Sequence, residues 1–340
     1  MSLAAFFEKH WYAESPGPLS CLYPLELLFK QLSSKRREKL LAQHHKLNEQ
    51  SNKRLPLVVV GNISVGGTGK TPFIIALVRR LQQQNYKVAV VSRGYGRDTE
   101  DCLKVEAESK AEEVGDEPLE VFLATACELW VAAERNKAVA AVIAHGDADV
   151  ILSDDGLQHY AMARDIEIAI VGSQGLGNGH LLPVGPLREP ASRLDSVDFV
   201  FNRSAKALHT TTPSYAYQSH LASWVHVHTA ERRSLAEGID SDDGREHNYI
   251  AYAGIAQPER FFSELTALGL QFEARPKADH YRYKACEFTA GSTYIVTAKD
   301  AVKCREFSEA DIWYLELQVE LSDAFYNAFT DKLSALNHEI

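Results

Sequence analysis

An α/β fold of two lobes is what this sequence predicts, on three observations. Short apolar runs alternate with helical patterns between residues 57 and 203, and again from 249 onward. The first run, Leu57-Val58-Val59-Val60, ends in a glycine-rich turn followed by Lys70-Thr71-Pro72. A later run, Val150-Ile151-Leu152, ends in the paired carboxylates Asp154 and Asp155.

Composition sets the outer limits. The chain has 340 residues, 45% hydrophobic and 24% charged, which suits a folded chain with room for two domains. A net charge of -10 argues against nucleic acid as a general partner. The five cysteines are scattered without metal-ligand spacing, so no structural zinc is expected and a reducing, cytosolic compartment fits. No secretory signal is expected, because Glu8 comes early and no small-residue cleavage site follows an apolar stretch.

Residues 1–54 carry nine Lys/Arg against five Asp/Glu, in an otherwise acidic chain. Trp11 and Tyr12 lead into an apolar run, Leu19 to Phe29, followed by Lys30, Lys35, Arg36, Arg37 and Lys39. The run contains Pro24 and Glu26 and falls short of the roughly 20 apolar residues a bilayer span needs. An apolar face beside a basic cluster suits either a segment lying in an anionic membrane interface or a helix packed on the body.

Leu57–Val60 is predicted as a strand and Pro72–Gln84 as a helix. The turn between them has the grammar of a phosphate-binding loop. Gly66, Gly67 and Gly69 let successive N–H groups turn toward an anion at the positive end of the new helix. Lys70 reaches terminal phosphates, and the Thr71 hydroxyl suits a Mg²⁺ held on phosphate oxygens. Ser64 stands where the strict pattern has glycine. Val65 stands where the regulatory and partitioning ATPases of the deviant class carry a lysine, which weakens that rival reading.

The strand Lys87–Val91 ends in Ser92-Arg93-Gly94-Tyr95-Gly96. Ligands sit at the carboxyl ends of strands in such sheets, so Arg93 is a candidate for phosphate and Tyr95 for packing on a substrate. Gly115-Asp116-Glu117-Pro118 precedes an apolar helix, and its carboxylates suit a helix cap or a general base. A strand at Leu129–Ala133 and a helix at Glu134–Ala144 bring in Arg135. The strand ending at Asp154 has the Walker B arrangement, with Asp154 and Asp155 both candidates for the metal, and His159 follows five residues on. After the strand Ile166–Val171, the Gly/Pro-rich loop 175–190 carries Arg188 and Glu189. Val197–Phe201 closes the lobe.

Residues 204–248 read as β-ribbon and linker, with an acidic tract at Glu237–Glu246. The second lobe runs through a strand at Tyr249–Ala253, a helix at Pro258–Leu268 and a polar loop with Asp279 and His280. Strands at Ser292–Thr297 and Ile312–Leu317 and a helix at Asp323–Leu336 complete it. The whole is a P-loop NTPase-like three-layer α/β/α domain (55–203), a β-ribbon or hinge linker (204–248) and a smaller α/β lobe (249–340), after the segment 1–54.

Seven motifs, in order, resemble the tetraacyldisaccharide 4'-kinases, the lipid A 4'-kinases of Gram-negative bacteria. They are Gly-Asn-Ile-Ser-Val-Gly-Gly-Thr-Gly-Lys-Thr-Pro (61–72), Ser-Arg-Gly-Tyr-Gly (92–96) and Gly-Asp-Glu-Pro (115–118), then Asp-Asp-Gly-Leu-Gln-His (154–159) and Pro-Leu-Arg-Glu (186–189). Ala-Asp-His (278–280) and Lys-Asp-Ala-Val-Lys (299–303) complete the set. Serine at 64 is normal in that family. Ala298 departs from it, since glutamate is expected there.

The resemblance implies ATP- and Mg²⁺-dependent phosphorylation of the 4'-hydroxyl of a tetraacyl glucosamine disaccharide 1-phosphate. It places the enzyme on the cytoplasmic face of the bacterial inner membrane, held peripherally by its N-terminal segment, with no obligatory protein partner. It further implies that Ser64, Val65, Gly66, Gly67, Thr68, Gly69, Lys70 and Thr71 bind nucleotide, and that Thr71 with Asp154 or Asp155 serves the metal. Asp116 and His280 would form the catalytic dyad with Lys70 beside them. Arg93, Tyr95, Arg135, His159, Arg188 and Glu189 would support the acceptor. On the domain boundaries above, Asp116 and His280 come from different lobes, so lobe closure is expected to assemble the dyad.

Overall fold

The computed structural model describes residues 3–48, 55–239, 248–289 and 291–338. The chain forms two compact units: Met1–Arg93, Cys127–Gln218 and Glu320–Ile340 in one, Gly94–Ala126 and Ser219–Val319 in the other. Elements are numbered along the chain.

The first unit begins with α1 (Leu3–Trp11), a 3-10 turn (Gly17–Leu22) and α2 (Tyr23–Asn48). Its sheet is built from β1 (Leu57–Gly61), β2 (Val88–Ser92), β4 (Glu128–Val131), β5 (Val150–Asp154), β6 (Ile166–Val171), β7 (Phe199–Asn202) and β8 (Ser214–Ala216). These lie in the order β4-β2-β5-β1-β6-β7-β8, every pairing parallel. Central parallel strands are covered on both faces, which is why β1 reads as an unbroken apolar run and is buried at all five positions. Helices α3 (Lys70–Gln83), α6 (Arg135–His145) and α9 (Asp323–His338) complete the unit.

Phe73, Ile74, Leu77, Val78 and Leu81 of α3 are buried, at the spacing of one helix face. Phe73, Phe201 and Phe325 meet edge-on, with ring centroids 4.6 Å apart for Phe73–Phe201 and for Phe201–Phe325. Each such ring contributes about 1.5–3 kcal/mol by leaving water.

The pairing of β1 with β5 sets Val60 beside Asp154, so the turn after β1 and the carboxylates after β5 emerge side by side. The N-terminal segment is tied down locally. The Trp11 indole donates to the Pro183 carbonyl (2.9 Å), Asn178 N–H donates to the Trp11 carbonyl (2.7 Å), and Glu26 accepts from the Leu181 N–H (2.7 Å). Leu25, Leu27, Leu28 and Leu32 of α2 face outward, 51–62% exposed. Among the described residues, no helix is long and apolar enough to cross a membrane.

The second unit holds the short strand β3 (Leu103–Lys104), α4 (Ala111–Val114) and α5 (Asp116–Thr125), followed by β9 (Gln218–His226), β10 (Arg232–Ser234), β11 (Tyr249–Ala253) and α7 (Pro258–Ala267). Next come β12 (Glu273–Pro276), β13 (Thr293–Val296), α8 (Ala298–Cys304) and β14 (Asp311–Glu320). Its sheet runs β10-β9-β14-β13-β11-β12. Alternation along β11 sends Ala251 and Ala253 into a core with Trp224, Phe262, Leu265 and Trp313, and Ile250 and Tyr252 into a second core with Tyr283, Tyr294 and Cys304.

Two boundaries differ from those read in the sequence. Gly94–Ala126 groups with the second unit, because α5 packs on α8. Helix α9 groups with the first unit, because Phe325 and Phe329 pack on Phe199 of β7. The expected ribbon is divided too: β8 extends the first sheet beside β7, while β9 pairs antiparallel with β10. The acidic tract falls largely at 240–247, outside the described residues.

Candidate active site

In the first unit, the turn after β1 takes its shape from its glycines. Gly66 has φ 95° and Gly69 has φ 86°, left-handed values that side chains rarely adopt. At Gly69 there is also no space: a Cβ would lie 2.1 Å from Arg203 Nη1 and 2.4 Å from the Tyr217 hydroxyl. Both groups hold the back of the turn, Arg203 donating to the Thr68 carbonyl (3.2 Å) and Tyr217 to the Gly69 carbonyl (3.1 Å). With the carbonyls engaged behind, the N–H groups at the start of α3 remain for an anion. The loop 175–190 lies alongside, with Val65 N–H donating to Pro186 O (2.8 Å) and Arg188 N–H to Ile63 O (2.7 Å).

Lys70, the first residue of α3, sits 3.4 Å from Asp155 Oδ1, and Arg188 Nη1 sits 3.4 Å from Oδ2. Burial raises the Asp155 carboxyl, but Lys70, Arg188 and Arg135 outweigh it and hold the group below the usual carboxylate range. Asp154 Oδ2 accepts from the Ser92 hydroxyl. Arg135, 8% exposed, donates to the backbone carbonyls of Asp154 and Asp155 at 2.9 Å. His159 stands among cations: burial first, then Arg135, Arg164, Arg36 and Arg93, push its imidazole down to about 4, so it is neutral at pH 7. Glu189 is turned into the scaffold, bonded to Gln158 (2.8 Å) and Tyr160 and paired with Arg193.

In the second unit, Asp116 opens α5. The N-cap is Gly115, φ 95°, and no side chain caps the helix. Of the two roles the sequence left open for Asp116, the structure therefore removes capping. Its Oδ2 instead lies 2.9 Å from His280 Nδ1 and 3.7 Å from Lys303 Nζ. His280 has φ 58°, and its ring packs 5.2 Å from that of Tyr95. Lys299 Nζ lies 3.2 Å from His280 Nε2 and 3.1 Å from Asp279 Oδ1. Burial lowers the Lys299 ammonium, but Glu117 and Asp279 outweigh it and keep its pKa above the ordinary lysine value. Asp116 and His280 thus belong to one unit, and the expectation that lobe closure assembles them is corrected: α5 packs on α8, and Lys299 of α8 reaches the loop that carries His280.

The sequence profile described as tetraacyldisaccharide-1-P 4'-kinase, LpxK, matches residues 19–334. The chain belongs to the tetraacyldisaccharide-1-P 4'-kinase family. Similar members include the tetraacyldisaccharide 4'-kinases of Azotobacter vinelandii, 42% identical over 99% of each chain, and of Dechloromonas aromatica, 41% identical over 97% of this chain and 98% of that one. A crystal structure of LpxK from Aquifex aeolicus in complex with ATP shares the fold, with TM-score 0.77 and 25% identity over 93% of this chain and 99% of that one.

Set on this family's fold, the predicted residues fall into two groups. Ser64 to Thr71, Asp154, Asp155, Arg93, Arg135, His159, Arg188 and Glu189 belong to the first unit. Asp116, His280 and Tyr95 belong to the second. Sequence reasoning missed Arg203, Tyr217, Lys299, Asp300 and Lys303. Arg203 carried a signal, since it follows a strand's carboxyl end. The three on α8 lay inside a quoted motif of this kinase family but had been given no role.

One half-buried acid is set apart by its titration. Burial, then Glu117, pushes the Glu120 carboxyl up to about 8. That lies above its unfolded value, so the stability it contributes is complete below about pH 4.5 and lost as pH rises through 8. Glu120→Gln is expected to melt close to the parent at pH 5 and to be more stable at pH 9 by roughly 2–4 kcal/mol. Calorimetry at the two pH values checks this.

Proposed function

We propose that this chain transfers the γ-phosphate of ATP to the 4'-hydroxyl of a tetraacyl glucosamine disaccharide 1-phosphate, giving the bis-phosphorylated lipid. Beyond family membership, the observation that carries the reading is Asp116, a buried carboxylate at a helix start whose partners are His280 and Lys303 rather than a cap. In a loose phosphoryl transfer the hydroxyl loses its proton late, and a positioned carboxylate suffices to take it. The new bond joins the sugar oxygen to the γ-phosphorus, the bond to the β,γ-bridging oxygen breaks, and the proton passes to Asp116. The turn's N–H groups and Lys70 offset charge on the migrating group. His280 holds Asp116 in place.

Mg²⁺ fits the residues present. Thr71, Asp154 and Asp155 are hard oxygen donors. That suits an ion that keeps waters and phosphate oxygens as ligands. Thr71 and the strand-end Asp154 would hold it, and it would neutralise phosphate charge.

The outward leucines of α2 and the neighbouring Lys30, Lys35, Arg36 and Lys39 support a second part of the reading. The helix lies on an anionic membrane surface, the cytoplasmic face of the inner membrane, where the acyl chains of the acceptor reside. The deciding assay mixes purified protein, labelled ATP and the tetraacyl disaccharide acceptor, and separates the lipid product. Absence of labelled lipid overturns the function. Leu27→Glu/Leu28→Glu is expected to weaken co-sedimentation with vesicles containing phosphatidylglycerol by about tenfold or more. Unchanged sedimentation overturns the membrane reading alone.

A further inference from the structure

Next to Asp116 lies a buried ion pair that the proposed reaction does not use. Lys303 is 4% exposed at its side chain and its Nζ is 2.6 Å from Asp300 Oδ1. Asp300 is fully buried and closely fitted. Its Oδ2 accepts from the Gly254 N–H (2.7 Å) and the Thr297 hydroxyl (2.8 Å), and a Cβ at Gly254 would come within 2.8 Å of Oδ1. The second carboxylate in reach of Lys303 is Asp116, at 3.7 Å. One ammonium is therefore shared between a fixed buried carboxylate and the candidate base.

On the far side, Lys299 Nζ lies 3.2 Å from His280 Nε2 while His280 Nδ1 lies 2.9 Å from Asp116 Oδ2, so the ring stands between the Lys299 ammonium and the carboxylate. The His280 and Lys303 contacts both fall on Oδ2.

We propose that Lys303, seated by Asp300, is a positioning residue for the phosphoryl transfer: it pins Asp116 through Oδ2, sets a positive charge beside it and leaves Oδ1 to take the acceptor's proton. The inference rests on the reading of Asp116 as the base. The other groups that face Asp116 are Glu117 and Glu120 on α5, Asp279, His280 and Arg282 on the loop after β12, and Lys299 on α8. Lys303 differs from them in being both buried and ion-paired with a second fixed acid. Balance is simple: the hydroxyl proton moves to Asp116 and leaves to solvent after product departs, and Lys303 takes no part in the proton transfer.

The experiment compares kcat–pH profiles on ATP and the lipid acceptor. Lys303→Met is expected to lower kcat tenfold or more, leave KM for ATP within twofold, and move the acid limb up by about one pH unit, because an opposite charge within about 4–6 Å favours ionisation. Asp300→Asn is expected to move the acid limb down, since the lysine then serves Asp116 alone. The double variant Asp300→Asn/Lys303→Met removes the buried pair together and is expected to show the upward shift, which keeps the test intact should Lys303→Met fail to fold. An acid limb unmoved in the double variant overturns the proposal and leaves Lys303 a structural residue. If Asp116→Asn itself turns over normally, the base assignment falls instead, whatever Lys303 does.

Discussion

Asp116→Asn is expected to lower kcat by about 10²–10⁴-fold with ATP affinity unchanged. Asparagine keeps the shape and still fits the His280 and Lys303 pocket, but its amide cannot take a proton from the sugar hydroxyl. Because Asp116 stands in the second unit and the phosphate-binding turn in the first, nucleotide binding provides an internal control. The measurement is a single-turnover assay of lipid phosphorylation beside a nucleotide titration. Turnover within fivefold of the parent refutes the assignment. A parallel loss of ATP binding would place Asp116 in nucleotide recognition instead.

Lys70→Met has a different expected signature. Lys70 begins α3, and its ammonium lies 3.4 Å from Asp155. A nucleotide's terminal phosphates would compete for that charge, so its loss costs both ground-state binding and charge stabilisation during transfer. The expected result is a fall of about 10³-fold in kcat together with about tenfold weaker ATP binding. Asp155 keeps Arg188 as a partner, so the variant is expected to fold with a melting temperature close to the parent's. Loss of binding with kcat intact would confine Lys70 to holding the nucleotide.

Much of the first sheet, and β11 of the second, was legible because parallel central strands are covered on both faces and so write unbroken apolar runs. Leu57–Val60, Ile166–Val171 and Tyr249–Ala253 were read within a residue of their observed bounds for that reason. The turn after β1 was legible because its chemistry needs glycine, lysine and threonine at fixed spacing. What could not be read was allegiance. The periodicity of α5 and α9 says that each has an apolar face, not which unit covers it. The same blindness hid Arg203 and Tyr217, whose work is done on carbonyls more than 130 residues away. Glu189 shows a role the sequence did not. Beside the acceptor role the resemblance implies, its bonds to Gln158 and Tyr160 brace the loop that carries it.

The N-terminal segment, finally, is more than a float. Trp11 and Glu26 grip residues 181–183, Asn178 binds the Trp11 carbonyl, the Tyr12 hydroxyl reaches the Val65 carbonyl at 3.4 Å, and Leu187 in turn bridges to Ser64. Anyone trimming the first two dozen residues to obtain a better-behaved preparation would be pulling a buttress from the wall that shapes the phosphate cradle. A shortened product of that kind is a poor reference for the intact enzyme's nucleotide chemistry.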